Sequence, residues 1–158
     1  MRRPALRKKT QGGHAMVELA FAATVMAACL GGTMEFGYTF LVYDQLVSAV
    51  GNGGRYAAMR TYRAATAQDL EKGKDAIRNL VVYGNSQPGD GSAPVVTGLR
   101  PENVEVAWVM DEKGSPAAVD VSIKDYTVHA MFGAFTFTGR PKVEFPFVGR
   151  YAPGESER

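Results

Sequence analysis

Few residues in this sequence of 158 could do chemistry. Cys29 is its only cysteine, so neither an intrachain disulfide nor a cysteine zinc cluster can form. His14 and His129 lie far apart without HExxH spacing, and the sequence has no Ser-His-Asp grouping, phosphate loop or metal-ligand spacing. We therefore expect a protein without catalytic activity, metal or cofactor.

One acidic residue draws attention through its surroundings. Glu18 is the single Asp, Glu, Lys or Arg in the segment 15–34, which as a helix reaches ~30 Å, the thickness of a bilayer's hydrocarbon core. A buried ionised carboxylate is unfavourable by several kcal/mol unless it is paired. Glu18 therefore either has a partner or lies hydrated at the headgroup level near the helix end.

The charge distribution predicts how this segment is oriented. Residues 1–13 contain five basic side chains and no acidic one, which leaves 13 basic and 16 acidic residues from His14 onward. A folded body with a slight negative charge argues against nucleic-acid binding. By the positive-inside rule, we expect a cytoplasmic leader at 1–13, a transmembrane helix at 14–36 and an exported remainder. The chain would cross the bacterial cytoplasmic membrane once.

Two kinds of signal sequence compete for the same segment. An ordinary secretory signal could end at Ala20-Phe21-Ala22, although this site lies early in the apolar run. A lipoprotein signal would place the lipid on Cys29 after two alanines, with Met26 where such signals usually have leucine. Neither interpretation gives Glu18 a purpose.

A third interpretation accounts for Glu18. The run Gly12-Gly13-His14-Ala15-Met16-Val17-Glu18 resembles the processing site of type IV pilin precursors, in which a basic leader is cut after a glycine and glutamate is the fifth mature residue. The resemblance implies cleavage between Gly13 and His14 and pairing of Glu18 with the new α-amino group of the same or a neighbouring subunit. An uncleaved anchor is the alternative.

The helix is expected to continue beyond the membrane as an amphipathic stalk. Apolar residues recur at steps of four and three, a heptad-like pattern that predicts a packing face for a domain or a neighbour; they are Phe36, Phe40, Tyr43, Val47 and Val50. Gly51-Asn52-Gly53-Gly54 could kink the helix, melt it or allow close approach of another backbone. The segment 37–83 would contain this stalk and a second, amphipathic helix ending near Tyr83.

The segment 12–62 as a whole resembles the TadE-like family. A Gly and a Val-Glu open an apolar helix, Glu35-Phe36-Gly37 follows it, and Gly54-Arg55-Tyr56-Ala57 ends it. The resemblance implies a minor pseudopilin of the tight-adherence pilus system, processed by a prepilin peptidase and assembled with other pilins. The length of the chain favours a minor subunit, since the major pilins of these systems are much shorter.

After Tyr83 the helical spacing of apolar residues ends, and further along the chain apolar residues alternate with polar ones. Glycine and proline make 84–103 a loop, whereas alternating apolar residues around Trp108 and Val121 predict a hairpin with a turn at Asp111-Glu112-Lys113-Gly114. We expect an α+β fold in which the long helix packs on a small antiparallel β-meander at 104–150, followed by a tail at 151–158. Five aromatic residues are expected in its core: Trp108, Phe135, Phe137, Phe145 and Phe147.

Two functions are consistent with this organisation. The first is that of a pseudopilin, a structural or assembly component of a pilus. The second is that of a membrane-anchored or lipidated extracytoplasmic binding module. The mature N-terminus discriminates them, since a start at His14 favours the first, a lipidated Cys29 favours the second, and an intact Met1 leaves only the anchor.

Overall fold

The computed structural model describes residues 12–60, 62–64, 67–112, 116–130 and 133–153. Two helices and several short strands make up the chain, so the predicted α+β class is confirmed. The elements, in chain order, are α1 (Gly12–Met59), β1 (Tyr62–Ala64), α2 (Ala67–Tyr83), a 3-10 turn (Pro101–Asn103), β2 (Val104–Met110), β3 (Pro116–Ile123), β4 (Tyr126–His129), β5 (Ala134–Phe137), β6 (Lys142–Pro146) and β7 (Tyr151–Pro153). The chain divides into two compact units, the first ending at Gly37 and the second beginning at Tyr38.

Helix α1 is uninterrupted because its sequence contains no proline and is rich in alanine and other apolar residues. It ends at Met59, beside a later segment of the chain that contains Val148 and Gly149. The amides of Val148 and Gly149 both donate to the carbonyl oxygen of Ala58, at 3.0 and 2.9 Å. These bonds satisfy a carbonyl that the last turn of the helix leaves without a helical partner.

The glycine-rich passage neither kinks nor melts α1, which continues through it. A Cβ atom on Gly53 would collide with the side chain of Val81, and one on Gly54 would lie 2.6 Å from the Phe145 ring. A Cβ on Gly51 would meet nothing within 4 Å. Two of the three glycines therefore let α2 and β6 approach the helix closely, but through side chains and not through another backbone.

The main sheet has three antiparallel strands in the order β2-β3-β6. The predicted hairpin is present, with Val106 opposite Val121 and Trp108 opposite Val119. Its expected turn lies partly outside the described residues, which omit 113–115. Alternation places Val119, Val121 and Ile123 on one buried face, as the hydrophobic period requires.

The remaining strands form two separate pairs instead of extending one meander. β4 and β5 make an antiparallel hairpin with Tyr126 opposite Phe137. β1 and β7 pair in parallel, with Tyr62 opposite Tyr151. The sequence did not predict this second pair, because strands of three residues are too short for an alternating pattern.

The core lies between α1, α2 and the main sheet. Its fully buried side chains come from all three, with Leu46 from α1, Ile77 and Val81 from α2, and Val104 and Val119 from the sheet. The loop that follows α2 contributes as well, since Val96 and Leu99 are buried. Four of the five aromatic residues expected in the core pack against it, but Phe135 is 51% exposed. The expectation for Phe135 was wrong.

Candidate functional site

The predicted processing site lies in the first turns of α1. Gly13, His14 and Glu18 are all exposed, and Gly13 and His14 follow Gly12, the first residue of the helix. His14 and Glu18 are four residues apart, so helical geometry places them on the same face, one turn from each other. The main-chain nitrogen of residue 14 lies about one turn before Glu18, and helical side chains lean toward the N-terminus, so the carboxylate of Glu18 is directed toward that end. The leader before Gly12 lies outside the described residues.

The part of α1 up to Gly37 is apolar on every side. Its exposed large hydrophobic residues include Met16, Leu19, Phe21, Val25, Met26, Leu30, Met34 and Phe36. An 18-residue window of α1 has a mean hydropathy of 1.7 with none of the window buried. By length and composition the helix can therefore cross a membrane, and it is consistent with a single-pass anchor.

Two hydroxyl side chains within this segment are compatible with hydrocarbon. Thr24 donates from Oγ1 to the carbonyl of Ala20, and Thr33 donates to the carbonyl of Cys29, each at 2.9 Å. Each hydroxyl proton therefore has an acceptor within its own helix, which a lipid environment demands. Cys29 itself is exposed on the helix surface.

The five residues of the heptad-like pattern predicted for the stalk differ in their burial. Val50 is fully buried and Tyr43 packs against Phe137 with ring centroids 5.6 Å apart, whereas Phe36, Phe40 and Val47 are exposed. The helix face that packs in the second unit begins one position earlier in the heptad; it comprises Val42, Leu46, Ala49 and Gly53, with Val50 beside it. Apolar residues occupy both rows, so periodicity alone did not identify the packed one.

A groove between α2 and the start of the main sheet is lined mainly by charged residues. Lys74, Asp75, Arg78, Glu102 and Lys124 are among its lining residues. Lys74 binds Glu71 at 2.7 Å and Arg78 binds Asp75 at 2.8 Å. The hydrogen bond from Lys74 lowers the pKa of the Glu71 carboxyl. These pairs describe a hydrated ionic surface on α2.

Asp120 and Lys142 form a second ionic feature, on the outer face of the main sheet. Their side chains meet at 2.6 Å, and the hydrogen bond raises the pKa of Lys142. Across the described ranges of the chain, no three His, Cys, Asp or Glu side chains converge as a metal site would need. The ionic contacts thus consist of the pair Asp120–Lys142 and, on α2, a network in which Arg78 lies 3.8 Å from Glu71 and 2.8 Å from Asp75.

Comparisons with known proteins agree with the features of α1. The model of the family described as TadE-like protein matches residues 13–55. Neither a search of curated proteins nor a search of solved structures found a match. The family match suggests a role related to the tight-adherence pilus, and the long apolar helix is compatible with membrane anchoring. Residues 13–55 of this chain are therefore similar to the TadE-like family.

Proposed function

We propose that this protein is a minor pseudopilin, a structural component of a tight-adherence pilus whose helix α1 anchors it in the cytoplasmic membrane. Its leader faces the cytoplasm and its second unit is exported, an orientation that rests on the five basic residues before His14. A prepilin peptidase cuts after Gly13, and the mature chain assembles with other pilins of the same system. The protein acts through assembly and not through catalysis.

The observation that carries this proposal is the position of Glu18. It lies in the first turns of an apolar helix, within the segment that matches the TadE-like family. An ionised carboxylate at that depth needs a partner to offset the cost of leaving water. The α-amino group of His14, created by cleavage, lies about one helical turn before Glu18 and supplies a cation to the Glu18 of the same chain or of a neighbouring subunit.

Mass analysis of the protein extracted from the membrane of its host tests the cleavage. We expect a chain that begins at His14. A lipid on Cys29 would support the anchored binding module instead, and an intact Met1 would exclude processing. Gly13→Val is the matched variant, since a Cβ at Gly13 meets nothing within 4 Å in the folded chain. Accumulation of the uncut form would then report on the peptidase and not on misfolding.

The role of Glu18 is tested by Glu18→Gln, which keeps the shape of the side chain and removes its charge. Export and membrane insertion should be unchanged, because removing a charge from an apolar helix favours insertion. Pili counted by electron microscopy should fall at least about tenfold if the pairing contributes 1.4 kcal/mol or more. Glu18→Asp retains the carboxylate and should restore part of the piliation. Normal piliation with Glu18→Gln would contradict the pairing.

A further inference from the structure

The β4–β5 hairpin exposes an apolar surface that the proposed function does not use. Phe135 is half exposed, although it lies opposite Val128, which is buried. From Tyr126 to Gly139 the sequence contains no Asp, Glu, Lys or Arg. A charge-free hairpin with an exposed aromatic ring is unusual on a water-facing surface, and it indicates contact with something apolar.

The base of the hairpin packs against the first turns of α1 in the second unit. Phe137 contacts Tyr43 at a ring-centroid distance of 5.6 Å. Tyr126, the partner of Phe137 in the hairpin, is buried, and its hydroxyl donates to the carbonyl of Thr97 at 2.9 Å. The described hairpin extends only three residue steps beyond this pair, about 10 Å.

Those first turns of α1 immediately follow the apolar segment. Tyr38 is four residues after Met34, about 6 Å along a helix, which is comparable to the thickness of one headgroup layer. Around it, Phe40 is 63% exposed and Leu41 is exposed as well. Aromatic side chains are enriched at this level of membrane proteins because a ring is favourable between hydrocarbon and water.

We propose that the β4–β5 hairpin, through Phe135, rests on the lipid surface beside the point where α1 leaves the membrane. Phe135 and the exposed residues Phe40 and Leu41 enter the headgroup layer and seat the exported unit on the bilayer. The occupant is lipid because the hairpin carries no charged residue and packs, through Phe137 and Tyr43, on the turns of α1 that follow the apolar segment. The inference rests on the membrane anchoring in the proposed function.

Fluorescence quenching by brominated lipid tests the contact on the full-length chain. Trp108 is the only tryptophan, so a Trp108→Phe background allows one probe at a time. The probe is Phe135→Trp, which needs no space in the core because the site is half exposed. The protein is reconstituted in vesicles of phosphatidylcholine with a minor share of phosphatidylglycerol, with bromine placed either near the headgroup or near the chain end.

Two further probes serve as controls. Val148→Trp lies on a residue that is 71% exposed and hydrogen-bonded to Ala58, about 30 Å along α1 from Tyr38. Val25→Trp lies in the apolar segment and reports the anchor itself. Both substitutions are at exposed apolar sites, as Phe135→Trp is.

We expect the probe at position 135 to lose about half of its fluorescence with bromine near the headgroup and less with bromine near the chain end. The probe at position 148 should be unaffected, and the probe at position 25 should be quenched most by deep bromine. If position 25 is quenched and position 135 behaves like position 148, the hairpin inference is overturned while the anchor stands. If position 25 is not quenched, the anchor fails and the inference fails with it.

Acrylamide, a quencher in the water, separates lipid from a protein partner. Lipid contact predicts that vesicles protect position 135 from acrylamide and expose it to bromine. Protection from acrylamide without bromine quenching would mean that another copy of the chain covers Phe135, and would overturn the proposal. Equal acrylamide quenching in vesicles and in detergent would overturn it too, because the ring would then be in water.

Discussion

Helix α1 is one element with two environments. Before Gly37 its large apolar side chains are exposed on all sides, from Met16 to Phe36. After Tyr38 the same helix buries Val42, Leu46 and Val50 against a sheet and a second helix. Both parts have an apolar composition, so composition alone does not reveal which part of the helix packs against the rest of the protein. Close packing does distinguish them: a Cβ would be free at Gly32, whereas one at Gly53 or Gly54 would collide with Val81 or Phe145.

The largest effect is expected when the same residue type is substituted in the two parts of α1. Leu46→Ala should destabilise the second unit by about 2–5 kcal/mol, because Leu46 is fully buried and its loss leaves a cavity. Leu30→Ala, at an exposed site of the same helix, should change the unfolding free energy of that unit by less than about 0.5 kcal/mol. Urea unfolding of the full chain in detergent, followed by Trp108 fluorescence, measures both. Similar losses of unfolding free energy in the two variants would contradict the difference in packing between the two parts of α1.

A smaller effect is expected from the glycines. Gly51→Ala should stabilise the helix by up to about 1 kcal/mol, since its Cβ has open space. Gly54→Ala should be net destabilising by about 1–2 kcal/mol, because its Cβ would lie 2.6 Å from Phe145 and 3.2 Å from Val143. The same unfolding experiment compares the pair. Equal stabilisation by both substitutions would show that the Phe145 ring moves aside without cost.

The smallest effect is expected from a single hydrogen bond between β4 and the loop that follows α2. The Tyr126 hydroxyl donates to the Thr97 carbonyl at 2.9 Å, so Tyr126→Phe should cost about 1 kcal/mol at neutral pH. Because the folded state raises the pKa of Tyr126, its contribution is present below pH ~10 and is lost as the pH rises through the folded value.

Unfolding of the wild-type chain and of Tyr126→Phe across this alkaline range measures that contribution. The difference in stability between them should narrow as the pH increases. Tyr38→Phe is the control, because it keeps the bond to Thr97 and removes only the neighbouring phenol. A constant difference at all pH values would indicate that Tyr126 is not held in its protonated form.

Local patterns predicted the elements better than they predicted their contacts. Strict alternation in Val104–Trp108 and Val119–Ile123 was sufficient for the hairpin, since each strand carries its own signal. The effect of Gly53 and Gly54 could not be decided, because their neighbours Val81 and Phe145 lie far away in the sequence. Phe135 was expected in the core as one of five aromatic residues of the β-domain, and only the three-dimensional arrangement shows that this ring is half exposed.

The candidate site divides in the same way. The spacing of Gly13 and Glu18 and the apolar run that follows were visible in the sequence, and the TadE-like match covers that region. The packed face of α1 was not visible in the sequence, because apolar side chains lie on adjacent faces of the helix from Leu41 to Val50. A pattern that contrasts polar with apolar positions is informative, and in a helix as apolar as α1 this contrast is weak.

The hydrogen bonds from Val148 and Gly149 to Ala58 affect the order in which the protein can be completed. These groups are separated by about ninety residues of chain, and β7 pairs with β1 directly beyond the helix end. A chain translocated from its N-terminal side exposes Ala58 early, and its partners arrive only with the last strand. In the exported orientation proposed above, nearly the whole second unit must be translocated before these bonds can form, and until then the end of α1 is accessible to chaperones or proteases.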